Sequence, residues 1–274
     1  MIVVFGASGN VGGEAARILG ARGESLRLVS RNALSSEHTS AIADYAEKDS
    51  LKAVMQPGDT VFMVSVHEHP DIRVAQHRNF IEAASEQRVA HLVYLSFVGA
   101  STESAFWHAR SHGATEAMLH ASDVPFTIVR TGPYSNYLPY FLLAQEVRVP
   151  AGHAPVGWVD RRDCGALVAE VLTGRPSGAT LNAMGPELLS FQDTVDRVND
   201  LLDTQFHYVD VDDPSALPTQ GLPEWEIPSR RSFFQAMHDG EFNVASTDIP
   251  DLTRQNARSI DVAITEATRT LRSV

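Results

Sequence analysis

Three glycines spaced three residues apart constrain this chain more than any other feature: Gly6-Ala7-Ser8-Gly9-Asn10-Val11-Gly12. They directly follow the apolar run Ile2-Val3-Val4-Phe5 and directly precede a segment in which Val11, Ala15, Ile18 and Leu19 share one helical face. In a strand–turn–helix unit of this kind, Gly6 permits the tight turn, Gly9 lets a diphosphate approach the backbone, and Gly12 lets helix and strand pack closely. Free amides at the helix N-terminus, with its partial positive charge, then hold the phosphates. The expected contacts are therefore Gly6, Ser8, Gly9, Asn10, Val11 and Gly12. The competing reading is a purely structural turn.

The alternation continues through the first half. Leu26–Val29, Thr60–Val64, His91–Ser96 and Phe126–Arg130 read as further strands. Between them, Val74, His77, Ile81 and Ala84 have helical spacing, and another helix is expected from about Trp107 to Ala121. Strands and helices in turn imply a parallel sheet covered on both faces and joined by right-handed crossovers, an α/β fold of the doubly wound Rossmann type. Composition shifts near Val149, where Pro150, Gly152, Pro155 and Gly157 crowd together before Asp160-Arg161-Arg162-Asp163 opens an apolar helix, Ala166–Leu172. The expected organisation is a dinucleotide-binding domain over 1–150 and a smaller substrate-side α/β lobe over 151–274, with some of the later segments returning to the first domain. The acidic, proline-bearing stretches Asp210–Pro218 and Leu222–Pro228 suit a lobe that caps the sheet's ligand edge.

Charge and composition narrow the partners. A formal net charge of −12 repels a nucleic-acid backbone or an anionic membrane surface, and no local basic patch offsets it. No apolar run is long enough to span a bilayer, and Ile2–Phe5 runs into Gly6 without room for a secretory leader, so a cytoplasmic protein is expected. Cys164 is the only cysteine, which leaves no internal disulfide and no thiolate metal site. The histidines are scattered, and His67-Glu68-His69 reads as the polar start of a helix, so no metal is expected. Oligomeric state is left open, a homodimer included.

An NAD-selective site places a carboxylate about twenty residues beyond the glycine turn, on the adenosine ribose. This chain has Ser30-Arg31-Asn32 there. Arg31 suits a 2′-phosphate, which a carboxylate would repel, and Ser30 and Asn32 can donate hydrogen bonds. NADPH is the expected cofactor, against the alternative that Arg31 is a solvated turn residue.

Further segments extend the pattern: Gln76–Ala84, Val89–Ser96, then His112, Thr115-Glu116 and Leu119, then Val124–Tyr134, and later Asp160–Asp163 and Leu172-Thr173-Gly174. With Gly6–Gly12 they resemble, over nearly the whole chain, the NmrA-like atypical short-chain dehydrogenase/reductase family, and within it the bacterial NAD(P)H:quinone oxidoreductase group. That resemblance implies Asp44 and Tyr45 beside the adenine, Ser65 and Val66 flanking the riboses, Ser96 near the nicotinamide, and Gly132-Pro133-Tyr134 around its far side. Each has a structural alternative: Asp44 as a helix cap, Ser65 and Ser96 as satisfied strand ends, Tyr134 as core.

Typical short-chain dehydrogenases use Tyr-x-x-x-Lys, in which the lysine lowers the tyrosine pKa for proton transfer. No tyrosine here has a lysine four residues on, and Lys48 and Lys52 are the only lysines. Two readings survive. One is an NADPH-dependent reductase of quinones, which accept hydride readily once the rings are held close. Phe97, Trp107, Tyr137 and Phe141, with Tyr134, are the expected aromatic lining, and His112 the expected polar partner, with core packing and an exposed helical histidine as the respective alternatives. The other reading is a non-catalytic NADP(H) sensor, which needs the same turn and Arg31 but no acid–base residue.

Overall fold

The computed structural model describes residues 1–141, 145–175, 177–212, 217 and 221–272. In chain order the first half gives β1 (Ile2–Phe5), α1 (Asn10–Ala21), β2 (Leu26–Ser30), β3 (Thr39–Ile42), α2 (Lys48–Val54), β4 (Thr60–Met63), α3 (Pro70–Glu86), β5 (His91–Phe97), α4 (Trp107–His120) and β6 (Phe126–Thr131). After a 3₁₀ turn over Ser135–Tyr140 come β7 (Glu146–Val149), α5 (Arg161–Thr173), β8 (Thr180–Ala183), α6 (Phe191–Leu202), β9 (His207–Asp210), α7 (Glu226–His238), α8 (Asp248–Thr253) and α9 (Ile260–Arg272).

Seven strands form one parallel sheet in the order β3-β2-β1-β4-β5-β6-β8. The chain starts in the middle, winds outward to β3, then crosses back to β4, so the direction of winding reverses between β1 and β4. In open α/β sheets ligands bind at such a reversal, beyond the carboxyl ends of the strands. All four β1 residues are buried because its two faces pack on different helices. Ile2 and Val4 join a core with α1 and α5 through Val11, Ala15, Leu167 and Val168. Val3 and Phe5 join a second core with α2, α3 and α4 through Leu51, Phe80, Ile81 and Leu119.

A third core gathers β7, α6, α7 and the Phe97–Phe106 region, with Trp158, Phe191, Phe234 and Phe242 at its centre. The short parallel pair β7–β9 closes this smaller lobe. α5 and β8, although beyond residue 150, pack on the large sheet. α5 starts at Arg161, one turn before its first apolar residues, because Asp160 caps it by accepting the Arg162 amide at 2.8 Å. His69 caps α3, accepting the Asp71 amide at 3.4 Å, and Pro70 occupies the first helical position. Of the stretch Asp210–Pro218, residues 213–216 and 218 lie outside those described.

Candidate functional site

The glycine turn is held from behind. Gly6 takes φ of +67°, a left-handed value, and a side chain on it would run into Val64 at the end of β4. A Cβ on Gly12 would stand 2.5 Å from the Gly6 carbonyl oxygen and 3.1 Å from that of Phe5. The Gly9 amide donates to Gly6 O at 2.8 Å, and α1 then starts with no side-chain cap and no acidic residue in its first turn. The amides of Asn10, Val11 and Gly12 thus have no acceptor among the described residues. Ser8, Gly9 and Asn10 are exposed, and the turn opens on a cleft of about 470 Å³ whose opposite wall includes Asn136, Asp160 and Arg161. Donors without acceptors, on a backbone that no side chain crowds, fit a dinucleotide diphosphate.

At the end of β2, Ser30 is buried and its hydroxyl donates to the Asn32 carbonyl, tightening the turn. Arg31 and Asn32 are exposed, and the Arg31 guanidinium makes no ion pair or hydrogen bond with any described residue. At the end of β3, Asp44 accepts the Ala46 amide at 2.9 Å, a local turn contact. The Tyr45 ring belongs to the core, tilted on Phe80 at 4.8 Å, with its hydroxyl donating to Val64 O at 3.0 Å. The main chain of the pair is engaged too, Asp44 N donating to Ser50 Oγ at 2.9 Å and Asn79 donating to Tyr45 O at 3.0 Å.

Ser65 and Val66 are half-buried past the end of β4. The Val66 amide donates to His77 Nε2 at 3.3 Å, and His77 Nδ1 meets the Thr115 hydroxyl at 2.9 Å. That hydroxyl already donates to Ser111 O, so His77 carries its proton on Nδ1, and burial holds the ring neutral, well below the ordinary histidine range. On β5, Ser96 donates to buried Glu116 at 2.6 Å, and Glu116 also receives Arg130 Nε at 2.9 Å. This Ser96–Glu116–Arg130 group escaped the sequence reading. Its one signal was a carboxylate on the helix face that also carries His112, Thr115 and Leu119.

Gly132 and Pro133 are buried. Tyr134 lies half-buried over the first core, and loss of water pushes its phenol above the ordinary tyrosine range. The Arg161 guanidinium sits 4.9 Å from the exposed Tyr137 ring and 5.9 Å from that of Tyr134, a cationic contact that the sequence reading also missed.

His112 is buried, with both ring nitrogens engaged. Arg73 Nη2 lies 2.6 Å from its Nε2, and the Tyr94 hydroxyl 2.8 Å from its Nδ1. A guanidinium only donates, so Nε2 accepts and Nδ1–H donates to Tyr94. Burial, then the Arg73 charge, pushes His112 well below its ordinary pKa, and burial pushes the Tyr94 phenol up to about 12. Phe97 lies nearly parallel to His112, at 6.3 Å and 27°, and meets Phe106 and Phe242 edge-on. Trp107 is half-buried, its amide donating to Ser232 at 3.1 Å. Phe141 packs instead on Phe191 and Phe234 in the smaller lobe.

Lys48 is tied to Glu82 at 3.0 Å and Glu86 at 2.8 Å, and Lys52 to Glu86 at 2.7 Å, between α2 and α3. Among the described residues no group of three or more His, Cys, Asp or Glu is placed to hold a metal, and no helix is long and apolar enough to cross a membrane.

The model of a family described as NAD(P)H-binding matches residues 6–174. An NAD(P)H azoreductase of Xenophilus azovorans is 26% identical over 94% of this chain and 95% of its own. The structure of an NADPH-dependent quinone oxidoreductase of Escherichia coli, complexed with NADPH, superposes with a TM-score of 0.89 at 24% identity, covering 98% of this chain and 100% of that one. NmrA, a negative transcriptional regulator in complex with NAD, superposes with a TM-score of 0.77 at 17% identity, covering 97% of this chain and 94% of that one.

Proposed function

The chain belongs to the NAD(P)H-binding family, and from that premise we propose that it is an NADPH-dependent reductase of the NmrA-like type, passing hydride to a quinone or similar planar, electron-poor acceptor. One observation carries the reading: acceptor-free amides at the start of α1 stand on the same sheet edge as the exposed, unpartnered guanidinium of Arg31. Amides of the turn from Gly6 to Gly12 hold the diphosphate, and Arg31, with Ser30 and Asn32, takes the 2′-phosphate. Ser65, Val66, Asp44 and Tyr45 border the adenosine side, while Ser96, Gly132 and Pro133 border the nicotinamide. The azoreductase and quinone oxidoreductase named among the relatives support an oxidoreductase role.

NADPH held in this way supplies a hydride, and a quinone that receives it needs one proton more to become the hydroquinone. Solvent is the proton's source. The Tyr134 phenol, driven up by burial, stays protonated and serves as a hydrogen-bond donor rather than an acid. His112 is neutral and acts through Tyr94 and Phe97, fixing the wall against which the acceptor lies. Both lysines are committed to α3 carboxylates, so no Tyr–Lys pair takes part, and an electron-poor acceptor needs none. Phe97, Trp107 and Tyr137 line the acceptor, with Phe141 supporting from the smaller lobe.

The same shortage of a ready acid favours a second reading, a non-catalytic sensor of NADP(H), and the regulator among the structural neighbours keeps it in view. One experiment separates them: loss of NADPH absorbance with benzoquinone and naphthoquinones, with affinities for NADPH and NADP⁺ measured in parallel. The reductase turns over. Tight, redox-selective binding without turnover would establish the sensor instead.

A further inference from the structure

The first turn of α3 and the first half of α4 enclose a cation that no carboxylate neutralises. Arg73 is 3% exposed, and among the described residues no carboxylate lies within ion-pair distance of it. Its guanidinium meets His108 Nδ1 at 2.9 Å and His112 Nε2 at 2.6 Å and shares a hydrogen bond with Tyr94, and among the described residues its buried Nε has no partner. Glu116, the buried carboxylate of α4, is held by Arg130 and Ser96 instead. Removing a guanidinium from water is among the costliest burials a fold can make unless an anion accompanies it, and two neutral imidazoles offset only part of the cost. His108 is one of them: burial, then the Arg73 charge, brings it down to about 3.

Between the cation and the surface stands His108. His108 is half-buried, and its ring lies 6.0 Å from His67 and 6.3 Å from Trp225, which are themselves 5.4 Å apart. His67 is exposed, so these rings form an aromatic mouth at the surface, with the enclosed Arg73 behind His108. The carboxylates of that mouth face its histidines, Glu226 on His67 at 3.6 Å and Asp71 on His69 at 3.7 Å, and leave Arg73 without one. α4 begins beside it with no side-chain cap and no acidic residue in its first turn, which adds partial positive charge. On the inner side Arg73 reaches His112, whose ring lies along Phe97 at the end of β5.

We propose that Arg73, with His108 and the first turn of α4, forms a subsite for an anionic substituent on the acceptor: a carboxylate, sulfonate or phosphate ester carried by a planar ring that enters past Trp225. The inference rests on the reductase reading and names its substrate class as anionic planar acceptors. An anion at this subsite pairs with a cation already free of water, where the interaction is strong.

The test is direct binding to the NADP⁺-loaded protein, with naphthalene-2-sulfonate and its neutral counterpart naphthalene-2-sulfonamide as probes and tryptophan fluorescence and calorimetry as readouts. The sulfonate should bind at least about tenfold more tightly than the sulfonamide. Arg73→Gln should abolish the preference while leaving NADP⁺ affinity unchanged, Arg73→Lys should retain part of it, and Trp225→Phe should remove most of the quenching. If the wild-type protein binds the two probes equally, or Arg73→Gln keeps the preference, the subsite does not exist. Should Arg73→Gln fail to fold, the wild-type and Arg73→Lys measurements still decide. Turnover of a neutral naphthoquinone by the same preparation reports on the reductase reading separately, since either result stands whatever the probes do.

Discussion

At the scale of single residues, the roles divide between groups left free and groups fully committed. Arg31 has no partner among the described residues, and its replacement carries the sharpest prediction: Arg31→Asp should weaken NADPH by about a hundredfold or more and NADH by little, because a lost ion pair and a new repulsion act only on the 2′-phosphate. Titration of both cofactors against wild type and variant checks it, and an unchanged NADPH/NADH ratio would remove Arg31 from the site. Sequence alone can nominate this residue because its spacing from the glycine turn is local and the chemistry turns on one position. The Arg73–His112–Tyr94 and Ser96–Glu116–Arg130 groups were not. Their members come from α3, α4, β5 and β6, and only the side-by-side packing of those elements brings them into hydrogen-bond range. His112 itself was picked out by sequence as a partner for the acceptor, but nothing in its neighbours along the chain announced that both its nitrogens would be taken by interior groups.

At the scale of elements, the closest helix contact beneath the site is between α1 and α5. A Cβ on Gly165 would stand 2.7 Å from Glu14 Cβ and 3.1 Å from Val11 O. Gly165→Val should therefore force the helices apart and destabilise the protein by about 2–3 kcal/mol, lowering the melting temperature by roughly 5–10 °C. NADPH affinity should fall with it, because α5 begins at Arg161 on the far wall of the cleft; calorimetric melting and cofactor titration test the two effects together. The five strands that sequence identified are those of the sheet interior, where residues facing both ways are buried and the apolar run is continuous. β3 and β8 lie at the two edges. Thr39–Ile42 is almost entirely exposed and Thr180–Ala183 is buried only at its last residue, so neither carries the pattern that marks a strand. The β7–β9 pair is equally short and pairs across sixty residues, beyond any local signal.

At the scale of the whole molecule, the interior stores several neutral imidazoles. His77, His91, His108 and His112 are all pushed down by burial, His91 to about 4 and His108 to about 3. Each titrates near 6.5 in the unfolded chain, so acid protonates the unfolded state first. The stability these groups confer is complete above pH ~6.5 and drains away as pH falls toward 4 and then 3, and the melting temperature should drop by roughly 10 °C between pH 7 and pH 4. A flat profile by differential scanning calorimetry over that interval would show that the imidazoles are hydrated in solution. The cofactor cleft has a consequence of its own for biogenesis. One wall is translated within the first seventeen residues, the other not until Asn136 to Arg162 leave the ribosome, with Glu266 later still. A nascent chain halted before that point presents half a binding surface, so nucleotide cannot stabilise it, and rescue by the coenzyme becomes available only once α5 has docked.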